Sequence, residues 1–185
     1  MAMRSASCLA LFTGALALAT AAGQAASPPP VQPDPVASFG CRADRQAPRQ
    51  DLQVIAAAYS QRSVAIVRAA LTRNMEALGR MVAPSANFIL FRGDVGIGSR
   101  RTGADALVEL FGGIGPAAFQ FSTSPAMPSL ADPCGETDAD VMLIGRQPGE
   151  AVLATFKYRA GLLAEVAARH IDVTRGDFAP GAGDK

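Results

Sequence analysis

The sequence predicts an α+β domain in which helices pack on one face of an antiparallel sheet. Three observations carry that reading. Val64, Val67, Leu71, Met75, Leu78 and Val82 recur every three or four residues, the period of a helix face. After Pro84 the pattern changes to short runs rich in residues that suit sheets. The last three apolar runs are separated only by "GRQPGE" and "RAG", turn-forming segments that predict an antiparallel meander.

The helical stretch comes first. Arg62, Arg68, Arg73, Glu76 and Arg80 mostly fall opposite the apolar stripe and are expected in solvent. Asn74 is placed to cap a second short helix, "MEALGRMV". Pro84 is expected to end it, having no N–H to continue the ladder. "ANFILFR" then reads as a strand, and "AAFQFST" alternates with Phe119 and Phe121 on one face. "ADVMLIGR", "AVLATFKYR" and "AEVAARHIDVT" are the strands of the meander.

Between the first strands lies "RGDVGIGSRRTGADALVELF", which has the look of a phosphate loop. Gly93 and Gly98 have P-loop spacing, but Ser99 and Arg100 stand where Lys and Ser or Thr are needed. Gly96 and Gly98 begin a dinucleotide pattern, but Arg101 replaces its third glycine. The glycines are therefore read as structural. Gly93 and Asp94 turn one strand into the next, Thr102 caps a helix with Asp105 as its box partner, and "GGIG" stops it.

The ends of the chain are different in kind. "MAMRSASCLALFTGALALATAAGQAAS" has a basic start at Arg4, an apolar run of about 12 residues and a small-residue region, the order of a secretory signal. That run is short against the roughly 20 residues of a membrane span. Residues 1–25 are thus expected to be removed and the protein to be periplasmic or secreted. Residues 26–50 hold six of the 13 prolines and read as a flexible leader. The domain is expected over residues 51–178, with a flexible tail at 179–185.

Charge excludes some functions. With 17 basic and 16 acidic residues, the chain has no field for nucleic acid or for a membrane surface once the signal is gone. His170 is the only histidine, and Cys41 and Cys134 belong to no CxxC pair, so no metal and no cofactor are expected. An exported pair of cysteines suggests a disulfide, the alternative being two free thiols. A bridge would close a loop of 94 residues, worth at most about 4–5 kcal/mol by chain entropy.

The stretch "NMEALGRMVAPSANFILFRGDVGIGSRRTGADALVELFGG" resembles the N-terminal half of the nuclear-transport-factor-2-like superfamily, in its SnoaL-like branch. The shared features are a helix ending near "APSA", a strand, a glycine turn, a short strand and a helix opening on G-x-x-A-L. The long leader, the Pro-rich segment 124–138 and the absence of Trp depart from that pattern. The resemblance implies a strongly curved antiparallel sheet around helices, a cone with an open apolar pocket. Phe88, Leu90, Phe119, Phe121 and Tyr158 are its expected lining.

Such folds host isomerases, dehydratases, carriers and interaction modules, so the side chains must decide. His170 and Asp172 sit two apart on a strand, hence on one face, and are the candidate acid–base pair. Burial argues against them. Facing inward they would bury a His and an Asp and expose Ile171 and Val173, each worth roughly 1.5–3 kcal/mol when buried. His170 and Asp172 are therefore expected outside the pocket. Lys157, Arg159 and Asp140 read as solvated strand residues, Tyr59 as a core-edge residue, and "RGD" at Arg175–Asp177 as a chance match.

Three functions fit. The leading one is a pocket protein that binds a small, mostly apolar molecule without converting it. The others are a hydro-lyase or isomerase using His170 and Asp172, and a homodimerising interaction module.

Overall fold

The first long helix begins where the sequence supplies a cap. In the computed structural model the Asp51 carboxylate accepts from the Gln53 N–H at 2.7 Å and opens α1, Leu52–Leu71. The residues described are 34–41, 47–121, 130–146 and 149–172, all within one compact unit. The signal-like segment, the "RGD" tripeptide and the tail lie outside them, as do the side chains of Phe121 and Asp172.

Ile55, Tyr59, Ile66, Val67 and Ala70 form the buried stripe of α1. The predicted stripe fails at its middle: Leu71 is 39% exposed and Met75 44%. The cause is Arg73, whose φ of 54° ends the helix and resets its phase. Asn74 then accepts from the Ala77 N–H at 3.0 Å and starts α2, Met75–Met81. The strand β2, Val82–Arg92, follows at once. Pro84 sits inside β2 rather than stopping the helix, and the pairing shifts register between Val82 and Asn87 to accommodate it.

The remaining elements are β3 (Val95–Gly98), α3 (Gly103–Ile114), β4 (Ala118–Phe121), β5 (Leu130–Ala131), β6 (Thr137–Ile144), β7 (Glu150–Arg159) and β8 (Leu162–Asp172). A two-residue strand β1, Gln50–Asp51, pairs with β5. The large sheet runs β3-β2-β8-β7-β6-β4. β6, β7 and β8 are the predicted meander. The sheet is nevertheless mixed, because β2 and β8 are parallel, with Phe88 opposite Val166 and Leu90 opposite Ala168. Hairpin turns enforce antiparallel neighbours. The long connection from β2 through α3 to β8 is a crossover and leaves the parallel option open.

One sheet face carries Val141, Leu143, Val152, Ala154, Phe156, Val166 and Ala168, all buried. α1 and α3 cover it, with Leu107, Leu110 and Phe111 from α3 in the core. Phe111 stacks on Phe156 with ring centroids 5.9 Å apart. This is the α+β arrangement that the sequence predicts, with an open sheet.

The phosphate-loop look resolves into backbone geometry. Gly93 and Asp94 form the β2–β3 turn. Thr102 occupies the cap position of α3 but its side chain makes no capping bond, contrary to the predicted box. The entry is set by Gly103 instead, whose φ of +63° disfavours a side chain and where a Cβ would lie a tight 3.0 Å from the Pro84 carbonyl oxygen.

Two further departures concern the leader and its contact with α1. Part of the leader is folded: Pro35–Phe39 is a 3-10 helix capped by Asp34, and Val36 is 1% exposed. A five-residue turn with a single buried valine is too short to show a period in the sequence. Arg62, assigned to solvent by its charge, is 5% exposed. Cys41 and Cys134 are joined by a disulfide, with Cα atoms 5.4 Å apart.

Candidate functional site

A cavity of about 430 Å³ opens between the C-terminal half of α3 and one end of the large sheet. Strand alternation builds one wall: Phe88 and Leu90 of β2, Leu143 of β6 and Val152 of β7 all point to the helix side. Leu110 and Ile114 of α3 supply the other. Arg92, Glu109, Glu150 and His170 stand at the mouth.

All four mouth side chains are exposed. None makes an ion pair or side-chain hydrogen bond to another described residue. Their polar groups face solvent and are available to a ligand. The register brings them together. His170 lies opposite Val152 on β7, and Arg92 follows Phe91, the partner of Arg169 on β8. Glu150 is two residues before Val152 on the same face. The site is therefore an apolar interior with a guanidinium, an imidazole and two carboxylates around its opening. Such a site holds an apolar body and hydrogen-bonds a polar end.

The inner placement of His170 corrects the outward one that burial predicts. Val166, Ala168 and His170 share a face with Phe156, Ala154 and Val152. Facing inward does not bury the imidazole here, because His170 lies where the cavity opens to solvent. His170 faces the cavity while remaining exposed. Ile171 loses little on the outer face, where it is half-buried beside Ala151. Asp172 pairs with Glu150 through the backbone, its side chain outside the described residues.

Of the expected lining, Phe88 and Leu90 line the cavity. Phe119 lies opposite Leu143 on β4, half-buried, with the Arg68 guanidinium 5.9 Å from its ring centroid. The side chain of Phe121 is outside the described residues. Tyr158 is elsewhere: six residues along β7 from Val152, it lies about 20 Å away at roughly 3.3 Å per residue. Arg92, Glu109 and Glu150 escaped the sequence reading. Arg92 had a signal, since it continues the Phe88–Leu90 alternation.

Tyr158 belongs to a buried polar cluster at the other end of the sheet. Its hydroxyl and that of Ser63 are 2.7 Å apart, and Ser63 donates to the Tyr59 carbonyl. Tyr59 donates to the Pro133 carbonyl at 2.6 Å. Arg62 donates Nε to the Asp34 carboxylate at 3.0 Å, Nη2 to the same carboxylate and Nη1 to the Gly161 carbonyl. Burial raises the pKa of both tyrosines, that of Tyr158 beyond the ordinary phenol range even though Ser63 and Arg62 oppose it. No buried side-chain polar atom in this cluster lacks a hydrogen-bond partner, so its bonding is satisfied internally.

Lys157 pairs with Glu165 and Arg159 with Glu136, as solvated strand residues do. Asp140 is exposed and accepts from Thr155. The outer sheet face carries a smaller hollow of about 240 Å³ between Phe91, Leu153, Thr155 and Arg169. Among the described residues, no group of three or more His, Cys, Asp or Glu side chains could hold a metal ion, and no helix is long and apolar enough to cross a membrane.

No known family profile matches the chain, and no curated protein does. Solved structures do. An NTF-2-like protein of unknown function from Silicibacter pomeroyi is 12% identical, over 62% of this chain and 93% of that one, with a TM-score of 0.42. Bal32a, from a soil-derived mobile gene cassette, is 14% identical over 66% and 96% of the two chains, also at 0.42. A phenazine biosynthesis-related protein from Pseudomonas aeruginosa is 13% identical over 68% and 84%, at 0.38. The likeness concerns the path of the chain. The site rests on the side chains present here.

Proposed function

We propose that this chain is an exported pocket protein that holds a small, mostly apolar molecule between α3 and the sheet, with a polar end at the mouth. The observation that carries the reading is the cavity itself. Phe88, Leu90, Leu110, Ile114, Leu143 and Val152 offer an apolar lining, and its ionisable groups stand only at the opening. A site of about 430 Å³ fits the usual size of a small-molecule pocket. Export is supported by the signal-like start and by a disulfide that an oxidising compartment would maintain.

The test is ligand-dependent stabilisation. Medium-chain alcohols and bicyclic terpenoids are added to the mature protein and unfolding is followed. A ligand at a hundred times its Kd adds about 2.7 kcal/mol. Leu90→Trp, which fills the cavity from its wall, should abolish that gain and keep the fold. If no probe stabilises the protein, or Leu90→Trp responds as the parent does, the reading is wrong.

One observation favours a second reading. His170 faces the cavity mouth beside Glu109 and Glu150, within a site that could receive a carbonyl or hydroxyl compound. In that reading His170 exchanges a proton with the ligand, as a hydro-lyase or isomerase requires. Mass and retention of the ligand recovered after incubation separate the two: an unchanged ligand means a carrier, a dehydrated or isomerised one an enzyme.

A further inference from the structure

The segment Asp34–Cys41 is a strap laid on α1. Its backbone hydrogen bonds stay within itself: Ala37 N–H to the Asp34 carbonyl, Gly40 N–H to the Ala37 carbonyl, Val36 N–H to the Asp34 carboxylate. Among the described residues, no backbone hydrogen bond ties it to the helices or the sheet. Four side-chain attachments hold it instead. Val36 is buried, Asp34 pairs with Arg62, Phe39 lies 6.3 Å from the Tyr59 ring, and Cys41 is bonded to Cys134.

Only the last is covalent, and it is reachable. Both cysteines are half-buried rather than enclosed. Cys134 sits on a loop held by its own Asp132 turn and by the Tyr59 hydroxyl on Pro133. The β7–β8 turn is shaped to the bridge: a Cβ on Gly161 would stand 2.9 Å from Cys41 Cβ. Beneath the strap lies a charged and aromatic patch, Arg62 and Tyr59. The strap gives the core Val36, with Phe39 packed at its edge, and the rest of the core comes from the helices and the sheet, so lifting it uncovers α1 and the Gly161 turn rather than the strands. Regions joined by few, side-chain contacts open as local units.

We propose that the Cys41–Cys134 disulfide is a redox latch: two-electron reduction by a dithiol frees the strap from α1 and uncovers Arg62, while the helix-and-sheet unit stays folded. A thiolate of the dithiol attacks one cystine sulfur, and the other leaves as a thiolate and takes a proton. The second thiol of the donor then closes the donor disulfide and releases the remaining cysteine. Two electrons and two protons enter the protein, and the donor leaves oxidised.

Hydrogen exchange followed by mass spectrometry tests this on the mature chain, oxidised and after dithiothreitol, with alkylation to count thiols. Reduction should expose two thiols and speed exchange at residues 34–41 at least tenfold. Peptides from α3 and β6–β8 should be unchanged. Asp34→Asn should leave the oxidised strap protected and increase the reduced-state exchange several-fold further. The proposal fails if the strap stays protected with both thiols alkylated, since its other attachments then suffice. It fails equally if every peptide loses protection, because the bridge then holds the whole fold. Two thiols that dithiothreitol cannot generate from the native protein would also reject it.

Discussion

Arg62 and Asp34 meet in an ion pair whose guanidinium is 5% exposed and whose carboxylate is 29% exposed. A buried cation with its one carboxylate removed keeps the desolvation cost and loses the attraction that offsets it. Asp34→Ala should therefore destabilise the protein by about 3 kcal/mol, the lower part of the range for a broken buried pair because Asp34 retains some water. Arg62→Met alone should cost less, and the double variant should recover much of the Asp34→Ala loss. Urea unfolding of the four proteins gives the cycle. If the two single losses simply add, the pair is not coupled and the reading of Arg62 as a buried, partnered cation is wrong.

That pair also marks where the sequence stopped being legible. The stripe read from the sequence began at Val64 and put Arg62 opposite it, whereas α1 buries Tyr59, Ser63, Ile66 and Ala70, and Arg62 borders that stripe. Its charge suggested water, and nothing local announced a carboxylate 28 residues earlier. Periodicity reports a face, whereas partners distant in sequence are set by packing. The meander from β6 to β8 was readable because its turns are local. The parallel pairing of β2 with β8 was not, because it depends on a crossover. Of the apolar lining that the family resemblance implied, Phe88 and Leu90 face the cavity, whereas Tyr158 lies at the other end of β7. The cavity mouth was not legible, because it gathers Arg92, Glu109, Glu150 and His170 from four elements that are distant in sequence.

The buried tyrosines predict alkaline sensitivity. Burial holds both phenols neutral in the folded state and raises their pKa values. Between the unfolded value near 10 and the higher folded values, the unfolded chain loses protons that the folded chain keeps. Stability should be intact below about pH 10 and fall as pH rises above it. Tyr158→Phe should flatten that fall while costing about 1 kcal/mol at neutral pH through the lost Ser63 bond. Urea midpoints across the alkaline range check this, and equal slopes in the two proteins would contradict it.

Gly103 carries the structural reading of the glycine-rich stretch. Its φ of +63° opposes a side chain, and so does the Pro84 carbonyl oxygen, which an added Cβ would approach to 3.0 Å. Gly103→Ala should cost about 1–3 kcal/mol, the range for a non-glycine residue held in a left-handed conformation. Gly113→Ala, in the open part of α3, should have no such penalty. Thermal unfolding of both variants, with and without ATP or NAD, is the measurement. A nucleotide that stabilises the parent and not Gly103→Ala would restore the phosphate-loop reading.

His170→Ala distinguishes the functions. The side chain is exposed and has no partner among the described residues, so its loss should change stability by no more than about 0.5 kcal/mol. Had it faced outward, nothing else would follow. Facing the mouth, it is within reach of the polar end of a bound molecule. One hydrogen bond is worth about 0.5–1.5 kcal/mol, so affinity for an alcohol should fall by roughly 2- to 13-fold. The hydrocarbon of the same size, which has no group for the imidazole to meet, should bind the variant as it binds the parent. That difference between the two ligands is the signature of a contact rather than of a collapsed wall. If His170 moves a proton, the variant should instead keep most of its affinity and lose roughly 100- to 10,000-fold in conversion. Isothermal titration with paired ligands, beside mass analysis of the recovered ligand, reads both. Equal binding of the alcohol by parent and variant, with no conversion in either, would remove His170 from the site.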